Sequence, residues 1–160
     1  MFNYLLAMIN FKSSLQSSAS RVNILLAGNN PIELTAMADT LSKLPLQNVW
    51  AEIAFDRVSI QKRLLRFIPH YIFIDDNLGM QELTLTIKDL STNEKTKNAP
   101  ITILKNSNYK ESVVSNDIMD YILKQQLTPH ALLIAMKNSL KFRITNQLLG
   151  AGEWIKKPVV

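Results

Sequence analysis

The sequence predicts a single three-layer α/β domain wound around a five-stranded parallel sheet, and three observations predict it. Short apolar runs alternate with amphipathic segments, strand then helix, five times along the chain, which is the pattern of a doubly wound parallel sheet. The run Tyr71–Ile74 (YIFI) is apolar at every position, as a strand covered on both faces must be. That run breaks at once into two carboxylates, Asp75 and Asp76. In open parallel sheets, ligands bind outside the carboxyl ends of the strands.

The elements follow in order. Val22–Ala27 (VNILLA) is strand one, and Gly28-Asn29-Asn30-Pro31 turns into a helix. Asn30 is a good N-cap, Pro31 suits the first helical position, and Glu33 is placed to reach back as in a capping box. Helix one runs to about Lys43, its buried stripe being Ile32, Leu34, Met37 (or Ala38) and Leu41, and Pro45 stops it. Asn48–Ala54 is strand two. Asp56 caps helix two, which carries Val58, Ile60, Leu64 and Leu65 before Pro69. After strand three, Met80–Leu90 is helix three, with Leu83, Leu85, Ile87 and Leu90 spaced along it. Ser91–Asn98 is a polar loop and Pro100–Leu104 is strand four. Asn108–Asn116 is polar and holds about two helical turns at best. Met119–Leu123 is strand five, and Lys124 follows it directly. Thr128 and Pro129 start the last helix, with Leu132, Leu133, Met136, Leu140 and Ile144 on one face and Gly150 past its end. Right-handed crossovers favour the flavodoxin-like strand order 2-1-3-4-5 for five such strands.

A length of 160 residues implies one domain, residues 21–149, with short flanks at 1–20 and 150–160. Such a chain buries about two-thirds of its unfolded surface and needs no metal or disulfide to fold. The absence of cysteine excludes a disulfide framework, a thiol nucleophile and any cysteine-based zinc site, and fits a cytoplasmic protein. The net charge of +5 is dispersed over Lys62, Arg63 and Arg66, then Lys137, Lys141 and Arg143, then Lys156 and Lys157. That dispersal reads as solvated helix faces, so no nucleic-acid partner is expected. His70 and His130 lack metal-ligand spacing and read as structural or surface residues. The arm Met1–Phe11 (MFNYLLAMINF) is apolar but too short to cross a bilayer, and it lacks the features of a signal peptide. A serine-rich linker, Ser13–Ser20, follows it. The arm either packs back on its own domain or meets a second protomer or a membrane surface.

With these landmarks in place, residues 21–145 resemble the receiver domain of bacterial two-component response regulators. Five motifs carry the resemblance in register: ILLAGNNPIEL, IFIDDNLGM, PITILKNS, DYILK and TPHALL. The resemblance implies a phosphoacceptor at Asp75, a pocket lysine at Lys124, a metal-ligating backbone carbonyl at Asn77, and at Tyr121 the aromatic side chain that changes rotamer on activation. It also implies a protein partner, a histidine kinase or a downstream signalling protein.

The departures define a degenerate, pseudo-receiver variant. Gly28 and Asn29 stand where the family has two acidic residues, and Lys105 stands where it has a hydroxyl. Gln125 replaces the proline after the lysine, so a cis bond there would cost about 2.5–4 kcal/mol. Without the acidic pair, Asp75, the Asn77 carbonyl, the Asn29 amide and water would hold Mg²⁺ weakly or not at all. Asp76 is expected to point to the other side of the sheet from Asp75. Lys105 and Lys124 are expected to converge on Asp75 and replace metal and phosphate with an internal ion pair. No catalytic residue is assigned and no enzymatic turnover is expected. The expected function is a signalling module acting by protein–protein contact, with homodimerisation through the strand-five and last-helix face or the N-terminal arm. The alternative is a regulator still phosphorylated on Asp75, or a fragment of a longer one with an output module.

Overall fold

The computed structural model describes residues 21–46, 48–106 and 117–139. The N-terminal arm, the short segment expected at 108–116, the end of the last helix and the tail lie outside the described residues.

Five strands form one parallel sheet: β1 (Val22–Ala27), β2 (Val49–Ala54), β3 (Tyr71–Asp75), β4 (Ile101–Lys105) and β5 (Ile118–Leu123). Their order is β2-β1-β3-β4-β5, the flavodoxin-like order expected and one of those the connection rules allow. Strand β3 lies at the centre and is buried at all five residues, which is why its sequence is apolar without alternation. The described helices are α1 (Pro31–Ser42), α2 (Arg57–Leu64), α3 (Met80–Thr92) and α4, residues 129–139.

The helices cover both faces. On one, Leu34, Met37 and Leu41 of α1 and Leu132 and Met136 of α4 pack over Ile24, Leu26, Tyr71 and Phe73. On the other, Ile60 and Leu64 of α2 and Leu83, Ile87 and Leu90 of α3 pack over Leu25, Ile72 and Ile74. Alternate residues of β1 therefore serve two separate cores, the period-2 consequence of a strand between two helical layers. A buried hydroxyl chain ties α4 to the sheet. Tyr71 Oη donates to Ser139 Oγ at 3.0 Å and shares a 2.5 Å contact with Thr102 Oγ1. Burial pushes the Tyr71 hydroxyl above its ordinary pKa, so it stays a donor.

Helix caps follow the sequence. Asn30 accepts from the N–H groups of Ile32 and Glu33. Asp56 forms a reciprocal capping box with Ser59, and Thr128 Oγ1 accepts from Ala131 N at 3.1 Å. Asn23 N donates to His70 Nδ1 at 2.9 Å; burial lowers the His70 pKa and keeps the ring neutral for that role.

Ile32, expected in the buried stripe of helix one, and Val58 and Leu65, two of the apolar residues of helix two, are on the outside. Ile32 is 81% exposed, Val58 64% and Leu65 76%. Ile32 and Val58 each lie two residues, about 200° of helix, before a buried residue, Leu34 and Ile60, and so face away from the sheet. Among the described residues no helix is long and apolar enough to cross a membrane.

Candidate functional site

Because all five strands are parallel, their carboxyl ends meet on one edge. That edge brings together the β1–α1 turn, the tip of β3 and the turn after β5. Asp75, the last residue of β3, is 1% exposed. Its Oδ1 accepts from Asn77 N at 2.9 Å, and its Oδ2 forms an ion pair with Lys124 Nζ.

The same ammonium lies 2.5 Å from Glu33 Oε2, in the first turn of α1. Lys124 thus bridges two carboxylates from different elements. Burial acts to lower the Lys124 pKa, but the hydrogen bonds and charges of Asp75 and Glu33 outweigh it and raise it. For Asp75, burial is the strongest influence and raises the pKa; Lys124 and the Asn77 N–H oppose the rise without cancelling it.

Asn77 joins the remaining pieces. Its carbonyl accepts from Asn29 Nδ2 at 2.7 Å, its side-chain oxygen from Asn29 N at 3.3 Å, and its amide nitrogen lies 3.4 Å from Glu33 Oε2. Gly28 permits the close approach of β1 to β3. A Cβ there would stand 2.9 Å from Asp75 Cβ and 3.2 Å from Leu34 Cδ2.

The structure therefore gathers Asp75, Lys124, Asn77 and Asn29 as expected and places the other three candidates elsewhere. Asp76 turns to the opposite side, where it accepts from the backbone N–H of Asn106 at 3.2 Å and from its side-chain amide. It anchors the tip of β4 to the β3–α3 turn. Lys105 does not converge on Asp75; its Nζ lies 5.9 Å from the centre of the Tyr121 ring, at the outer limit for a cation–π contact. One residue at the tip of a strand changes which face a side chain serves, and Lys105 ends β4 on the Tyr121 side. Tyr121 itself is 39% exposed on the edge strand β5.

Glu33 is the participant that sequence reasoning missed. Its position three after Asn30 suggested a capping role, but its carboxylate goes to Lys124, 91 residues away in sequence. The one available signal was an acidic side chain in the first turn after a strand tip, on the edge that Asp75 also occupies.

No family model and no curated protein sequence matches the chain. Solved structures do. A sensor protein from Polaromonas sp. JS666 aligns with a TM-score of 0.64 at 16% identity, over 78% of this chain and 99% of that one. The signal receiver domain of an HD domain-containing protein from Pseudomonas fluorescens Pf-5 gives 0.63 at 16% identity, over 79% and 99%. The chemotaxis response regulator CheY4 of Vibrio cholerae gives 0.56 at 15% identity, over 75% and 99%. At these identities the likeness is one of architecture. The chain has the fold of response-regulator receiver domains, with Asp75 at the tip of its central strand.

Proposed function

We propose that this chain is a two-component signalling module that acts by protein–protein contact, its acceptor pocket neutralised from within rather than by metal and phosphate. The observation that carries the reading is the Lys124 ammonium held between Asp75 and Glu33. Phosphoryl transfer to a carboxylate depends on positioning and on neutralising charge around the transferred group. Here the lysine that would meet an incoming phosphoryl oxygen already has two carboxylates.

The donor set also fits Mg²⁺ poorly. Mg²⁺ demands near-octahedral oxygen ligation at about 2.0–2.1 Å. Gly28 contributes no side-chain oxygen, Asn29 turns its NH₂ toward the Asn77 carbonyl, and that carbonyl accepts the bond. Among the described residues no three acidic or histidine side chains group in a way that could hold a metal ion. The module is not an enzyme and takes no cofactor. Its partner is a histidine kinase or a downstream signalling protein in the cytoplasm, or a second copy meeting it through the β5 and α4 face.

A second reading keeps Asp75 as a working phosphoacceptor. It is favoured by the placement of a buried aspartate and a paired lysine at the tips of β3 and β5. Titration with beryllofluoride and Mg²⁺, followed by amide NMR, separates the two. Silence at millimolar Mg²⁺ supports the internally neutralised module. Shifts around Asp75, Lys124 and Tyr121 in the wild type, absent in Asp75→Asn, would overturn it in favour of phosphorylation.

A further inference from the structure

Between α1 and the turn after β5 lies a half-open cavity of about 280 Å³. Its walls are mostly apolar, with Leu34, Met37, Leu104 and Leu127 among them and Thr40 the one polar uncharged side chain, and its charged end is formed by Glu33, Asp75 and Lys124. We infer that this cavity binds a small organic ammonium, its cationic head at Glu33 and its apolar body against Met37, Leu104 and Leu127.

Three features select that chemistry. At the charged end one ammonium, Lys124, is shared by two carboxylates, and the exposed one, Glu33, can accept a second cationic donor beside it. Glu33 Oε2 takes the bonds to Lys124 and Asn77, which leaves Oε1 outside the network as an acceptor. The Glu33 side chain is 44% exposed, so an entering head group reaches it without breaking the Asp75–Lys124 pair. An anionic ligand meets the reverse situation, since it must displace a carboxylate from Lys124.

Size favours a free molecule over the side chain of a partner. The volume equals about nine waters at roughly 30 Å³ each, and the four methylenes and ammonium of a lysine would fill only about half of it. A polar head with an apolar body is also the general composition of small-molecule sites.

The inference rests on the reading that Glu33 and Asp75 hold Lys124, and its test is independent of phosphorylation. The full chain, with labelled methyl groups, is titrated with hexylammonium and with its neutral and anionic counterparts, hexanol and hexanoate. Hexylammonium is expected to shift the methyls of Met37, Leu104 and Leu127 saturably. Hexanol is expected to bind about tenfold more weakly, the ratio for one charge-assisted hydrogen bond at the low end of its range, and hexanoate more weakly still. Glu33→Gln should abolish the preference for ammonium over alcohol while hexanol still binds, and added salt should weaken only the ammonium. Hexanoate binding as tightly as hexylammonium, a preference that survives Glu33→Gln, or no methyl shift with any probe would each overturn the inference. Tighter binding by Nα-acetyl-lysine amide than by hexylammonium would also overturn it, assigning the cavity to a protein side chain. A beryllofluoride response would defeat the internally neutralised module while leaving these ratios to decide the cavity.

Discussion

Replacing Lys124 by methionine removes the central charge and keeps a flexible stem of similar length, so packing changes little. Asp75, 1% exposed, is then left with the backbone N–H of Asn77 as its hydrogen-bond donor. Removing one partner of a buried ion pair costs about 3–5 kcal/mol, because the other charge stays buried. The low end applies here. Glu33 is 44% exposed on its side chain and can turn to water, so Asp75 alone bears the loss, about 3 kcal/mol at pH 7. The penalty depends on pH with a definite sign. Burial already raises the Asp75 pKa above its ordinary 3.8, and loss of the ammonium raises it further. A carboxyl with a raised folded-state pKa contributes stability that is complete below its unfolded pKa and is lost as pH rises through the folded value. The penalty should therefore shrink as pH falls toward 4, as protonation of Asp75 removes the buried charge, and grow toward pH 8. Urea denaturation followed by circular dichroism across that range measures it. Adding Asp75→Asn should restore most of the loss at pH 7. A penalty of equal size at pH 4 and pH 8, or no rescue by Asp75→Asn, would refute the assignment of the pocket as an ion network.

Two further substitutions probe the frame that positions the site. Gly28→Ala places a Cβ 2.9 Å from Asp75 Cβ and 3.2 Å from Leu34 Cδ2; overpacking of this kind should cost about 1–3 kcal/mol, read as a lowered thermal midpoint together with displaced Asp75 and Asn77 amide signals. Tyr71→Phe removes the hydroxyl shared by Thr102 and Ser139, leaving buried oxygens short of a partner, and should cost about 1–3 kcal/mol. Tyr121→Phe, on the exposed edge strand, should stay within about 0.5 kcal/mol in the same denaturation assay.

Much of the architecture was legible because it is encoded over short distances in the chain. The apolar run of β3, the caps Asn30, Asp56 and Thr128, and Pro31 at the first helical position are relations between residues no more than a few positions apart. Right-handed parallel crossovers narrowed the strand order to a few candidates, of which the common flavodoxin-like one is observed, without help from any particular residue. The errors were also local in kind. Ile32, Val58 and Leu65 are apolar, but a stripe on a short helix has two possible phases, and only the sheet beneath selects one.

The site divides in the same way. Asp75 and Asp76 had to serve opposite sides, because neighbouring strand residues do, and Asp75 had to sit on the ligand edge, because β3 ends there. The sequence by itself determined those placements, along with the presence of Lys124 at the tip of β5. Only the tertiary structure decided which charges share the pocket. Lys124 meets Glu33 across 91 residues, and that meeting depends on the register of the parallel strands and on the angle at which α1 leaves β1. Lys105, whose type and position suggested the same role, ends β4 on the side of Tyr121. Ion pairing is set by distances of a few ångströms in space, and those distances exist only once the sheet has placed its strand tips side by side.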